Sequence, residues 1–197
     1  IERYYTMEEY FNELEELLRE YHNHHTKISV GNRIKLSQDG SRLKSLCLGV
    51  RGAPGLAIKR RDKTLCPHLT KHTQTEKGHA IYTLIYTMIS FIYPDFEFNS
   101  IIVNFNSNFL KHKDKKNVNI DSVIFSVGNH TGGGLELYDD DDTLREIKHI
   151  YHNLTRFAGK TTTHATQPFD GERWCIVAYQ TKPKYHYCPF EKQLHAL

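Results

Sequence analysis

The stretch from Asn104 to Asn117, NFNSNFLKHKDKKN, constrains the fold more than any other, because it holds part of a metal site whose remaining donor lies far along the chain. His112 and Asp114 are two residues apart, and on an extended chain positions i and i+2 project to the same face. An imidazole and a carboxylate so placed meet one divalent ion with little rearrangement. The third donor has to come from elsewhere. His164 stands fifty residues after Asp114, in GKTTTHATQPFDGERWCIVAY, and Arg173 nine residues beyond it. Two histidines and one carboxylate on one side of an ion leave the other positions open, the arrangement that suits non-heme iron(II) and oxygen chemistry. A cation just past the third ligand offers a place for an acidic cosubstrate.

On one straight strand the nine residues from His164 to Arg173 would span ~30 Å, too far for both to serve one pocket. Pro168, Asp170 and Gly171 lie between them, and a Pro followed by Asp-Gly is a turn signal: fixed φ, then tolerance of positive φ. The expectation is that the strand carrying His164 folds back into the strand ERWCIVAYQT and so sets Arg173 beside the metal.

With 197 residues the chain suffices for one domain with a real core, and 39% hydrophobic and 25% charged residues fit a folded globular protein. A formal charge of +3 permits a polyanionic partner without requiring one. Cys47, Cys66, Cys175 and Cys188 form no CxxC pair, and Cys175 sits in an apolar strand pattern where a thiol acts as a small hydrophobe. The expected setting is intracellular, nuclear if the source is eukaryotic, with a monomeric chain. No secretory signal is visible. The longest apolar run, Ala80 to Tyr93, is shorter than the ~20 residues that span a bilayer and reads as a buried helix ending at Pro94.

Thr6 to Tyr21 is the clearest helix. Thr6 and Glu9 form a capping-box pattern, Tyr5 and Tyr10 are placed for a hydrophobic staple, and Tyr10, Phe11, Leu14, Leu17, Leu18 and Tyr21 make one apolar stripe, expected to pack on a sheet rather than to bind a partner. His22, His24 and His25 suit the negative end of that helix. The segment RGAPGLAIKRRDK reads either as a loop at the active-site mouth that approaches phosphates or as a solvated surface loop. Cys66, His68, His72, His186 and Cys188 match no standard zinc spacing, and Asp139 to Asp142 lack calcium-loop spacing and read as a solvated hairpin tip. Strands are expected over Phe96 to Asn108, Asp121 to Val127 and Leu135 to Tyr138. Many short strands after a helical layer indicate a β-sandwich or barrel.

HxD at His112 and Asp114 with Asn117 behind it, then VIFSVGNHTGGGLELY, then HATQPFDGERWCIVAY, resemble the 2-oxoglutarate and iron(II) dependent dioxygenases of the TET/JBP-like group. The resemblance runs from Arg42 to Thr181 and is sharp from Ile101 on. It implies an α+β fold with a double-stranded β-helix (jelly-roll) core and backing helices, in a single domain over 1–197 with a helical extension at 1–26 and the catalytic core at 42–181. It also implies iron(II) on His112, Asp114 and His164, with 2-oxoglutarate on the iron, its far carboxylate on Arg173, and O2 as oxidant. A planar guanidinium grips a carboxylate with two parallel hydrogen bonds, which a lysine cannot copy. Asn104 and Asn106 are candidates for cosubstrate contact, and Asn117 for substrate, although asparagines at strand ends are also ordinary turn-formers.

Enzymes of this group mostly oxidise the methyl group of 5-methylcytosine or thymine in DNA, and one branch is thought to use ascorbate in place of 2-oxoglutarate. DNA is therefore the expected partner. Lys111, Lys113, Lys115 and Lys116 around the metal motif, with Lys111, Lys115 and Lys116 as substrate-binding candidates, and Lys59 to Lys63, suit backbone phosphates or a solubilising rim. Two other readings stand beside it: the same iron chemistry on a protein side chain or small molecule, and a jelly-roll binding module without catalysis.

Overall fold

In the computed structural model, residues 5–24, 44–52 and 65–187 are described. Two helices and twelve strands follow one another along them. Helix α1 (Met7–His24) opens as its sequence requires: Thr6 N–H donates to Glu9 Oε2 at 2.7 Å, Glu9 N–H donates to Thr6 Oγ1 at 3.2 Å, and the Tyr5 and Tyr10 rings stack at 5.4 Å. Phe11, Leu14, Leu18 and Tyr21 are buried along one face. His22 packs its ring on Phe105 at 4.3 Å, while the side chain of His24, and all of His25, lie outside the described residues.

Strand β1 (Lys44–Gly49) and the short β2 (Leu65–Pro67) precede helix α2 (Glu76–Ile92). Thr75 caps α2 by accepting from Gly78 N–H, and the helix stops before Pro94 as expected. The expectation of a buried helix holds for one face only. Ile81, Tyr82, Ile85, Met88 and Ile89 are buried, but Tyr86 and Ile92 are exposed and Phe91 is 73% exposed. The run is apolar in composition, yet only one side of it has a sheet to cover.

The remaining strands are β3 (Ser100–Phe105), β4 (Ser122–Val127), β5 (His130–Gly132), β6 (Leu135–Tyr138), β7 (Leu144–Lys148), β8 (Thr155–Phe157), β9 (Thr163–Thr166), β10 (Phe169–Gly171), β11 (Trp174–Tyr179) and β12 (Tyr185–Tyr187). A five-stranded antiparallel sheet, β1-β3-β11-β4-β8, faces a three-stranded one, β7-β6-β9, in the jelly-roll arrangement. Period-two alternation sorts the side chains between the two faces of the larger sheet. Ile101, Val103, Val123, Phe125, Val127, Trp174, Ile176 and Ala178 pack with α1 and α2, whereas Ile124 and Cys175 turn inward to meet Leu135, Leu137, Ile150 and Phe157 of the second core. Both faces being covered explains why β3, β4 and β11 read as continuous apolar runs.

Strand β3 is shorter than the expected Phe96 to Asn108. Phe96 and Phe98 stack on each other at 5.5 Å before the pairing begins, and Asn106, at φ 43°, ends it. The expected hairpin between the strands of His164 and Arg173 is also corrected. Strand β9 belongs to the smaller sheet and β11 to the larger, and the intervening Phe169–Gly171 pairs with β5 instead. Gly171, at φ 102°, makes the corner, and a Cβ there would sit 2.2 Å from Asn129 O. The chain thus crosses between sheets rather than doubling back in one. The Asp139–Asp142 tip is exposed, as expected. The Cys66, His68, His72 group is described only in part, since the side chain of His186 and all of Cys188, like most of the RGAPGLAIKRRDK loop, lie outside the described residues.

Candidate metal centre

The segment after β3 is stitched along the free edge of β9. Thr166 N–H donates to Phe109 O at 3.1 Å, Phe109 N–H donates to Thr166 Oγ1 at 3.2 Å, and His112 and His164 exchange backbone hydrogen bonds of 3.0 Å in both directions. This reciprocal pair sets the two imidazoles side by side, with ring centroids 4.3 Å apart. Asp114 is fixed separately, its N–H donating to Gly159 O at 2.9 Å. The expected constellation assembles: donor atoms of His112, Asp114 and His164 all lie within 4.8 Å of one another.

Orientation within the trio is set by the backbone. His112 Nδ1 lies 2.7 Å from Leu110 O, and His164 Nδ1 lies 2.9 Å from Thr162 O. A carbonyl only accepts, so each Nδ1 carries the proton and each Nε2 presents its lone pair, the form a metal-binding histidine takes. Those Nε2 atoms stand 3.8 Å and 3.4 Å from the two carboxylate oxygens of Asp114. Donors in adjacent positions around an ion with ~2.1 Å bonds are roughly 3 Å apart, so shifts under ~1 Å complete the set. The donor chemistry and spacing fit a divalent transition metal with one face left open.

A cavity of about 60 Å³ runs inward from the trio between the two sheets. It is several times the ~10–15 Å³ that one water needs by this measure. Asn104, Asn117, Leu135, Thr166, Cys175 and Tyr179 help to line it. Asn104 is buried and its Oδ1 accepts from Ser45 Oγ at 2.7 Å, while Asn117 Nδ2 donates to Ser122 Oγ at 3.3 Å. Asn106 is exposed and outside the cavity. Its Oδ1 accepts from Arg173 N–H at 2.8 Å and its own N–H donates to Arg173 O at 2.9 Å, which fixes the backbone at Arg173.

Arg173 is 1% exposed and has no carboxylate within ion-pair distance among the described residues. Its Nη2 donates to Gly133 O at 2.7 Å, its guanidinium lies 5.1 Å from the Phe169 ring centroid, and its buried Nε has no partner. The guanidinium does not itself line the cavity, but its charge acts on the Cys175 thiol, which does. Burial raises that thiol above its ordinary value, although the adjacent positive charge pulls the other way. Burial and the Arg173 charge both hold His130 below its ordinary value, so Arg173 is the cation of this region at neutral pH. Along the smaller sheet, Leu137 pairs with His164, and Gly133 holds Arg173 four residues earlier. At most ~13 Å of backbone therefore separates the trio's level from the guanidinium's.

The lysines divide. Lys111 pairs with Asp142 at 2.9 Å and Lys113 with Asp140 at 3.4 Å, whereas Lys115 and Lys116 are exposed in the turn that follows Asp114. Sequence reasoning missed three contributors. Ser45 holds Asn104, Gly133 leaves room for Arg173, and Cys175 lines the cavity. Only Cys175 had a readable signal, since alternation along WCIVAY puts it opposite Trp174 and Ile176.

No protein-family model matches the chain, and no curated protein does. Among solved structures, a prolyl hydroxylase from Trichoplax adhaerens, in complex with a hypoxia inducible factor oxygen degradation domain peptide fragment, superposes with a TM-score of 0.52 at 9% identity, over 93% of this chain and 80% of that one. An oxidoreductase of the 2OG-Fe(II) oxygenase family from Burkholderia pseudomallei gives a TM-score of 0.49 at 12% identity, over 94% and 93% of the two chains. A prolyl-4-hydroxylase from Pseudomonas putida gives 0.46 at 12% identity, over 88% and 86%. The likeness to the Trichoplax enzyme shows a shared fold.

Proposed function

We propose that the chain is an iron(II) and 2-oxoglutarate dependent dioxygenase, with His112, Asp114 and His164 as metal ligands and Arg173 as anchor of the cosubstrate's far carboxylate. The observation that carries this reading is three converging donors together with a buried, carboxylate-free arginine no more than ~13 Å along the backbone from them. An unpaired buried charge costs several kcal/mol, and a dicarboxylate reaching from the trio to Arg173 offsets that cost. The partnerless Nε and the Nη2 offer the fork that such a carboxylate accepts.

When bound, iron(II) with 2-oxoglutarate and O2 supplies the oxidising power to hydroxylate a substrate C–H bond, with succinate and carbon dioxide as co-products. The chain's share is positional. His112 and His164 hold their lone pairs in place through their Nδ1–H bonds, and Asp114 brings the only negative charge. Asn104, held by Ser45, adds an amide to the cavity wall, and Ile124, Leu135, Phe157 and Val177 keep the rest of the wall apolar.

The finer reading follows the TET/JBP resemblance: the substrate is a methylated nucleobase in DNA, turned out of the stack to reach the metal. Lys115 and Lys116, exposed directly after Asp114, suit flanking phosphates. One observation favours hydroxylation of a protein side chain instead, namely that Lys111 and Lys113 already have carboxylate partners. Incubation with 5-methylcytosine duplex DNA, iron(II) and 2-oxoglutarate, followed by nucleoside mass spectrometry, decides between them. Oxidised methylcytosine is expected. Succinate formed with peptides but not with DNA refutes the nucleobase reading and leaves the reaction class standing.

A further inference from the structure

The hairpin between β6 and β7 ends in four consecutive aspartates, and two of them reach the loop that carries the metal ligands. Lys111 and Lys113, which flank His112, pair with Asp142 and Asp140, and the Lys111 ammonium also sits 3.9 Å from the Tyr138 ring centroid. These contacts are not locks. The Asp140 side chain is 99% exposed and that of Asp142 69% exposed, so water and salt screen both pairs, and such pairs contribute little net stability. The tip keeps its shape without them: Asp139 N–H donates to Thr143 O at 2.9 Å, Asp142 N–H to Asp139 O at 3.0 Å, and Thr143 N–H to Asp141 Oδ1 at 3.0 Å.

We propose that the Asp139–Asp142 tip is a displaceable anionic cover, which occupies Lys111 and Lys113 in the free protein and yields them to the phosphate backbone of a nucleic acid. This rests on the nucleobase reading above and adds to it how the rim is regulated. Lys115 and Lys116 have no ion pair among the described residues, so they meet phosphates first. Strand docking then sets phosphate oxygens against carboxylates for the same two ammonium groups. A phosphate backbone releases condensed counterions as it binds, a gain that a four-residue acidic tip lacks. A neutral or basic substrate would instead leave the cover closed.

The test compares the wild type, Asp140→Asn with Asp142→Asn, and a charge-matched control, Glu13→Gln with Glu16→Gln, on the exposed side of α1. Asp142 has φ 70°, which asparagine tolerates, and neither Asp140 nor Asp142 uses its carboxylate in the tip's own turn. Binding to a 5-methylcytosine duplex is read by fluorescence anisotropy at 50–200 mM salt, and iron(II) affinity by anaerobic titration. The tip variant is expected to bind DNA roughly 2- to 30-fold more tightly, from two exposed pairs released, with the control near wild type and iron(II) affinity unchanged. An equal gain in the control reduces the effect to net charge and overturns the cover. So does an unchanged DNA affinity, or a loss of iron(II) affinity without a DNA gain, which would make the tip a brace for His112 and Asp114. If neither wild type nor variant binds DNA, the nucleobase reading itself falls.

Discussion

Gly133→Ala perturbs the proposed cosubstrate anchor without replacing Arg173. Gly133 has φ +75°, and a Cβ there would lie 2.6 Å from Arg173 Nε and 2.9 Å from its Cδ, so the guanidinium must move. Gly132→Ala is the matched control. It has φ +69°, but its Cβ meets Pro168 O at 2.5 Å rather than the arginine. Both substitutions put a side chain in the left-handed region at ~1–2 kcal/mol before the close contacts add to it, which lowers Tm by at least roughly 2–8 °C for a chain of this size. Only Gly133→Ala should also weaken a charge-assisted hydrogen bond to the cosubstrate, worth ~1.5–3 kcal/mol. That raises the 2-oxoglutarate KM by roughly 10- to 150-fold. Succinate formation measured against 2-oxoglutarate concentration separates the two effects. Equal KM shifts in both variants, or no shift for Gly133→Ala, would refute Arg173 as the anchor.

Asp114→Ala removes the only carboxylate of the proposed metal site and should reduce turnover by more than ~100-fold, beyond what losing a group that merely orients a ligand costs; activity retained in a succinate assay would mean the trio is misassigned. His152, stacked between Phe11 at 4.6 Å and Tyr151 at 4.2 Å, is held by burial below its ordinary value, so the folded chain keeps it neutral. As pH falls below ~6.5 the unfolded chain takes up a proton that the folded one refuses, and stability drops until the folded pKa is reached. His152→Asn keeps the backbone at φ 48° and removes that proton, so urea unfolding between pH 7 and 5 should show a shallower loss of stability; an unchanged slope contradicts this.

The trio was legible because HxD sets two donors on one face, and the resemblance around HATQPFDGERWCIVAY picked His164 out of the histidines downstream. Helix α1 was legible to its cap, since Thr6 and Glu9 satisfy each other within one turn. What sequence could not reveal depends on distant partners. Pro168 to Gly171 carries the same positive-φ signal for a hairpin and for a corner, and only β5, some forty residues earlier, decides for the corner. The exposure of Phe91 follows from where the sheet lies, not from the apolar run itself. Lys111 and Lys113 read as a basic rim until the tip 31 and 27 residues later is folded against them. Cys175 showed its inward face through alternation.

The central claim is one ion held jointly by His112, Asp114 and His164 with the cosubstrate beside it. Anaerobic titration of iron(II) into the protein with 2-oxoglutarate, followed by the visible charge-transfer band, tests this most directly. A band that saturates at one iron per chain and disappears in His164→Ala is the predicted result. Its absence from the wild type, or its persistence without His164, would contradict the account.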